Sequence, residues 1–139
     1  MRTPSQTVGP YFSFGLCREP QNELPNSTVR LTGSVLDGQG KPVADALLEL
    51  WDPAVGFARC GTDARGEFSF VLPAEAHRYE LMIFARGLLK PVLTRLYIPG
   101  ATPDAGEAED PTMVAREEAD GLRFDVHLQG ERETAFFEL

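Results

Sequence analysis

The stretch Leu122-Arg-Phe-Asp-Val-His-Leu128 alternates apolar and polar side chains at every step. Successive side chains of a β-strand point to opposite faces, so this spacing puts Leu122, Phe124, Val126 and Leu128 on one buried side. The same period recurs upstream. Thr28-Val-Arg-Leu-Thr-Gly-Ser-Val-Leu36 places Val29, Leu31 and Val35 on one face. Asp37-Gly-Gln-Gly-Lys-Pro42 then supplies turn residues, and Ala46-Leu-Leu-Glu-Leu-Trp51 reads as the next strand. A second turn, Thr62-Asp-Ala-Arg-Gly66, precedes the strand Glu67-Phe-Ser-Phe-Val-Leu72, which Pro73 closes. Arg78-Tyr-Glu-Leu-Met-Ile-Phe-Ala85 reads as a central strand, followed by Pro91-Val-Leu-Thr-Arg-Leu-Tyr-Ile98. Thr134-Ala-Phe-Phe137 reads as a short last strand after the turn around Gly130. Short strands at regular spacing, with turn signals between them, predict an all-β chain folded as an antiparallel β-sandwich.

One short surface helix is expected, over Asp110-Pro-Thr-Met-Val-Ala-Arg-Glu-Glu-Ala119. Its acidic residue suits an N-cap, with Pro111 at the first helical position. The acidic, small-residue stretch before it, from Ala101 to Glu109, reads as a loop. Trp51, Phe84 and Tyr97 read as core residues, with the Trp51 indole N–H needing a partner if buried.

A chain of 139 residues can build one domain with a real core. Its 21 acidic against 13 basic residues give a net charge of -8. That balance opposes nucleic acid as a partner, because phosphate neutralisation needs a basic surface. No apolar run approaches the roughly 20 residues that span a bilayer, and no basic stretch leads into an apolar secretory core. Cys17 and Cys60 lack motif spacing, so two thiols in a reducing cytoplasm are expected rather than a disulfide.

The N-terminal segment Thr3-Pro-Ser-Gln-Thr-Val-Gly-Pro-Tyr-Phe-Ser-Phe-Gly-Leu16 carries two prolines, two glycines, three aromatics and no charge. Disordered termini are usually polar and charged. This composition suits an extended arm laid on a surface. The chain therefore divides into an arm over residues 1–27 and a sandwich domain over 28–139.

A sandwich names no function, so the chemistry must come from side chains. Transition metals want three or four converging His, Cys, Tyr, Asp or Glu ligands. Only His77 and His127 are present, and they form no His-x-His pair. Arg78-Tyr-Glu80 reads as a same-face ion pair. A nonstandard metal site built from His77, Tyr79, Glu80 or His127 is one rival reading, and a non-enzymatic β-sandwich binding or structural module is another. The serines lack a nucleophile elbow and no glycine-rich phosphate loop is present. Arg86 follows the apolar run Leu81–Ala85. A guanidinium there either grips a carboxylate bidentately, or faces water or a surface acid.

Five separated motifs occur in order: Thr3–Phe12, Leu47-Leu-Glu-Leu-Trp51, Phe84-Ala-Arg-Gly87, Thr94-Arg-Leu-Tyr97 and Phe124–Glu138. Together they resemble the alpha subunits of protocatechuate 3,4-dioxygenases, within the intradiol ring-cleaving dioxygenases. The resemblance implies a β-sandwich working with a homologous beta subunit in a hetero-oligomer. It implies Fe(III) on that partner chain, held by tyrosines and histidines, with no metal on this chain. The partner's histidine pair would fall on Arg78 and Glu80, neither of which is an imidazole. Thr7, Gly9, Pro10 and Tyr11 would line the substrate pocket. Arg86 would be the pocket arginine that favours an anionic aromatic acid such as protocatechuate. No catalytic residue is implied on this chain itself. The sequence departs from the pattern between Trp51 and Arg78, where it is shortened.

Overall fold

Two sheets pack face to face in the computed structural model, which describes residues 2–4, 16, 21–75, 77–102 and 110–138. The strands are β1 (Val29–Leu36), β2 (Leu47–Asp52), β3 (Gly56–Gly61), β4 (Glu67–Leu72), β5 (Arg78–Phe84), β6 (Val92–Tyr97), β7 (Arg116–Glu118), β8 (Gly121–Arg123) and β9 (Val126–His127). One sheet has the order β4-β1-β8-β7, with β9 also on β1; the other runs β3-β2-β5-β6. The all-β sandwich expected from the alternation is the fold observed. Most pairings are antiparallel, while β8 and β9 run parallel to β1.

The expected turns are stapled by aspartates. Asp37 accepts from the N–H groups of Gln39 and Lys41, and Asp63 from those of Arg65 and Glu67. Short Asx side chains mimic a backbone turn in this way. The two backbone N–H groups hold the Asp37 carboxyl below its ordinary range.

The core lies between the sheets. Leu31, Val35, Phe70 and Leu72 face it from one side, and Leu48, Leu50, Tyr79, Leu81 and Ile83 from the other. Each fully buried aliphatic side chain contributes about 1.5–3 kcal/mol of transfer free energy. The run that opened the sequence reading keeps its alternation, with Leu122, Phe124 and Val126 buried. It is not one strand, however. Phe124 crosses over Gly33, and a Cβ at Gly33 would collide with the Phe124 carbonyl oxygen and the Phe68 ring. The Phe124 N–H donates to the Thr32 carbonyl, and Asp125 turns aside to accept from the Ser34 N–H. The ladder with β1 therefore breaks into β8 and β9.

Other expectations need correction. The helix over Asp110–Ala119 is a single 3-10 turn, Pro111–Met113, although Asp110 caps it by accepting from the Thr112 N–H. Strand pairing wins beyond it: the Ala115 N–H donates to the Tyr97 carbonyl, and Arg116–Glu118 pairs with β8. Trp51 is not a core residue. Leu48 and Leu50 take the inward parity of β2, which turns Trp51 outward at 47% exposed. Phe84 is half-buried on that same outer face, whereas Tyr97 is buried as expected. The span after Trp51, which the sequence does not mark as a strand, holds β3, paired with β2 along its whole length.

The C-terminal stretch is tied across β6 without a long ladder. Thr94 donates its hydroxyl to the Ala135 carbonyl, and the Phe137 N–H donates to the Leu93 carbonyl. The last strand expected from the sequence is an isolated bridge, Leu93–Phe137.

Candidate functional site

Antiparallel register positions Arg86. Leu47 pairs with Phe84, so continuing the register by two residues sets Asp45 opposite Arg86. The Arg86 Nε contacts Asp45 Oδ2, while the arginine side chain stays 59% exposed. Gly87 follows at φ 86°, and the Leu88 N–H donates to the Ala85 carbonyl, closing the turn out of β5. Positive φ suits glycine because it has no Cβ. The guanidinium is thus tethered at one edge and open on the rest. In water such a pair contributes at most about 1 kcal/mol to stability, so its effect is mainly to orient the cation. Leu89, 68% exposed, adds apolar surface to the same turn. Arg86 therefore meets a surface acid and solvent, the second of the two alternatives its sequence position allowed. Asp45 was missed, and only the register of β2 against β5 could have found it.

Thr7, Gly9, Pro10 and Tyr11 lie outside the described residues, as does Cys17. The chain becomes described again beside the second sheet. Leu16 accepts at its carbonyl from Arg59 Nη1 at 3.4 Å, and Gln21 accepts at its carbonyl from the Arg59 N–H at 2.8 Å. Asn22 then donates its amide to the Ser69 carbonyl, and the Leu24 N–H donates to that of Val71. Gln21–Leu24 therefore steps from the β3 edge to the β4 edge.

The residues of the rival metal reading are held apart. Glu80 faces outward and takes Arg95 Nε at 3.0 Å, with the Arg95 guanidinium 4.8 Å above the Phe137 ring. His77 Nε2 sits 3.1 Å from Asp52 Oδ2, and its ring meets Tyr79 edge-on at 5.0 Å. The His77–Asp52 approach is close but does not meet hydrogen-bond geometry. Burial pushes the Asp52 carboxyl up. The His77 imidazole and the N–H groups of Ala54 and Val55 outweigh burial and hold it below its ordinary value. Tyr79 points into the core, where its hydroxyl has no hydrogen-bond partner among the described residues. Burial, with the Asp52 and Glu75 charges, pushes its phenol up to about 12. His127 stands on β9, in the other sheet. Among the described residues no three His, Cys, Asp or Glu side chains converge on a point. The positions Arg78 and Glu80 offer a cation and an already paired carboxylate, which do not fit a ferric ion.

The chain is 32% identical to the protocatechuate 3,4-dioxygenase alpha chain of Burkholderia cepacia over 194 residues, covering 99% of this chain and 98% of that one. The chain belongs to the protocatechuate 3,4-dioxygenase alpha-chain family. The alpha chain of Pseudomonas putida is 31% identical, over 98% of this chain and 96% of its own. No protein-family model matches. The dioxygenase domain of a dioxygenase carbohydrate-binding fusion from Streptomyces sp. SirexAA-E superposes with TM-score 0.57 at 24% identity, covering 94% of this chain and 99% of that one. Catechol 1,2-dioxygenase from Pseudomonas arvilla C-1 gives TM-score 0.58 at 19% identity, over 97% of this chain and 63% of its own. At those identities the likeness shows a shared fold.

This alpha chain is thus an alpha-type intradiol dioxygenase subunit, in a family that depends on iron. Its 139 residues align over 194 positions with the Burkholderia alpha chain, so it is the shorter of the two. Its sandwich strands survive that shortening, and β2 joins β3 through the three-residue turn 53–55. Among the described residues no helix is long and apolar enough to cross a membrane.

Proposed function

We propose that this chain is the iron-free partner in a hetero-oligomeric enzyme that cleaves protocatechuate with O₂ to 3-carboxy-cis,cis-muconate. A homologous beta-type chain holds the Fe(III) and supplies the ring-opening chemistry. This chain supplies pocket wall through Thr7, Gly9, Pro10 and Tyr11, and charge complementarity through Arg86.

The observation that carries the proposal is Arg86, tethered to Asp45 and open to solvent at the end of β5. An open guanidinium suits an aromatic acid, whose carboxylate can take it bidentately. An acidic chain needs such local positive charge to receive an acidic substrate. The misfit of the described residues to iron supports placing the metal on the other chain.

The test compares substrates with and without a carboxylate in the assembled enzyme. Arg86→Ala is expected to raise KM for protocatechuate about 10-fold to 100-fold, since a hydrogen bond to a charged group contributes about 1.5–3 kcal/mol. KM for catechol, which lacks the carboxylate, should stay within about two-fold, and the iron content should not change. Equal effects on both substrates, or none on either, would remove Arg86 from the pocket.

A further inference from the structure

Arg116 and Arg123 stand directly opposite each other across the antiparallel β7–β8 pair. Like charges so placed repel and cost stability. One carboxylate is shared between them. Asp125 Oδ1 accepts from Arg123 Nε at 3.0 Å, and Asp125 Oδ2 accepts from Arg116 Nη2 at 3.4 Å. The Ser34 N–H donates to Asp125 Oδ1 at 3.0 Å, and the Ser34 hydroxyl accepts from Arg123 Nη2 at 2.9 Å. Arg123 is thereby locked in place, with its Nη1 lacking a partner among the described residues. Arg116 is the looser of the two, its side chain 68% exposed.

Both arginines line a cleft of about 390 Å³, which Arg132 and His127 line as well. Arg132 comes from the C-terminal turn, and its place there is built in. The Glu133 N–H donates to the Gly130 carbonyl at 3.1 Å and closes that turn. Buried Thr134 then ties the turn to β9. Its hydroxyl accepts from the His127 N–H, and its own N–H donates to the His127 carbonyl, both at 2.9 Å. Arg132 has no ion pair among the described residues. The walls thus carry three guanidiniums against two carboxylates, Asp125 and Glu131. On a chain of net charge -8 that is a local excess of positive charge. A like-charge pair kept at a cost, a third cation without a counter-charge and room for a small molecule suit an anion, not the stability of the fold.

We propose that this cleft binds a small polyanion bearing carboxylate or phosphate groups. Arg123 holds one oxyanion group through its unpartnered Nη1. Arg116 gives up its long contact with Asp125 to take the same group, and Arg132 takes a second group from the C-terminal turn. Planar guanidinium forks match carboxylate and phosphate oxygens bidentately. The ligand also relieves the Arg116–Arg123 repulsion, which the single Asp125 carboxylate offsets only in part. The cleft shares no residue with the turn at Arg86, so the site does not depend on the proposed function.

Inorganic phosphate and citrate serve as the probes. Each is titrated into the ¹⁵N-labelled full chain at constant ionic strength, and the arginine Nε–H signals are followed by NMR. At least one probe should bind saturably and shift the signals of Arg116, Arg123 and Arg132. Binding of phosphate alone would support the site and assign it a phosphate-bearing ligand; binding of citrate alone would support it and assign a polycarboxylate. Arg116→Gln and Arg132→Gln should each weaken binding about 10-fold, as deleting a hydrogen bond to a charged group does. Without ligand neither variant should melt below the wild-type chain, because both side chains are exposed and Arg116→Gln relieves the like-charge pair. Arg86→Gln, at the end of β5 in the other sheet, should leave the affinity unchanged. Absence of saturable binding by both probes would overturn the site. So would binding that survives Arg116→Gln and Arg132→Gln, or binding that is lost in Arg86→Gln.

Discussion

The two faces of the sheet β3-β2-β5-β6 share their strands and differ in everything else. Inward, Leu48, Leu50, Leu81 and Ile83 are at most 1% exposed and carry no charge. Outward, the same strands carry Glu49 with Arg59, Glu80 with Arg95, and the half-exposed Trp51 and Phe57. Period-two geometry forces this division: every core residue fixes an outward neighbour. The inner face stabilises the sandwich. The strand ends are left for recognition.

Substitutions on the two faces should differ in their effect on stability. The largest effect is expected inside. Leu81→Ala removes a fully buried side chain and should cost about 2–5 kcal/mol, read as a lower denaturant midpoint in the free chain. On the outer face, Phe57→Ser should leave that midpoint within about 0.5 kcal/mol, as surface changes usually do. A stability loss at Phe57 as large as that at Leu81 would erase the division between the faces.

At the strand end, Asp45→Asn should leave folding intact and raise KM for protocatechuate only a few-fold, less than Arg86→Ala. It loosens the guanidinium without deleting it, so Asp45→Glu should restore much of the loss. An effect on kcat alone would argue that Asp45 acts elsewhere.

Tyr79 gives the smallest effect and an inner-face exception. Its buried hydroxyl lacks a partner among the described residues, so Tyr79→Phe should be neutral or stabilising by up to about 1 kcal/mol. Its pH signature has a definite sign. A phenol raised to about 12 in the fold stays protonated while the unfolded chain ionises near the ordinary tyrosine value of about 10. The stability it contributes is full below pH 10 and is lost as pH rises toward 12. Tyr79→Phe should remove that alkaline component, and an unchanged alkaline limb in the denaturation profile would mean that other groups set it.

The sandwich was legible because its principal strands alternate cleanly, as in Val29–Leu36 and Arg78–Phe84. β3 was not legible. Gly56-Phe-Ala-Arg-Cys-Gly61 begins and ends in glycine and buries only Ala58, so it shows too little alternation to read as a strand. The helix over Asp110–Ala119 failed for the opposite reason. Its capping signal is real and produces one turn, but pairing with Tyr97 and β8 outweighs local propensity beyond Met113. Trp51 was misplaced by its size, although the parity of Leu48 and Leu50 already pointed it outward. Arg86 was singled out by its place after an apolar strand, and its pocket role is a proposal from the resemblance. Asp45 emerged only once the register of β2 against β5 was known. The arm residues Thr7, Gly9, Pro10 and Tyr11 remain proposals from the resemblance, because they lie outside the described residues.

The most direct test of the division of labour is metal and activity analysis of the chain made alone and made with a beta-type partner. The chain alone should be colourless, free of stoichiometric iron and inactive on protocatechuate. The co-expressed complex should hold iron and open the ring, with the iron following the partner when the two are separated. Stoichiometric iron with a tyrosinate-to-iron visible band in the isolated chain would contradict this picture.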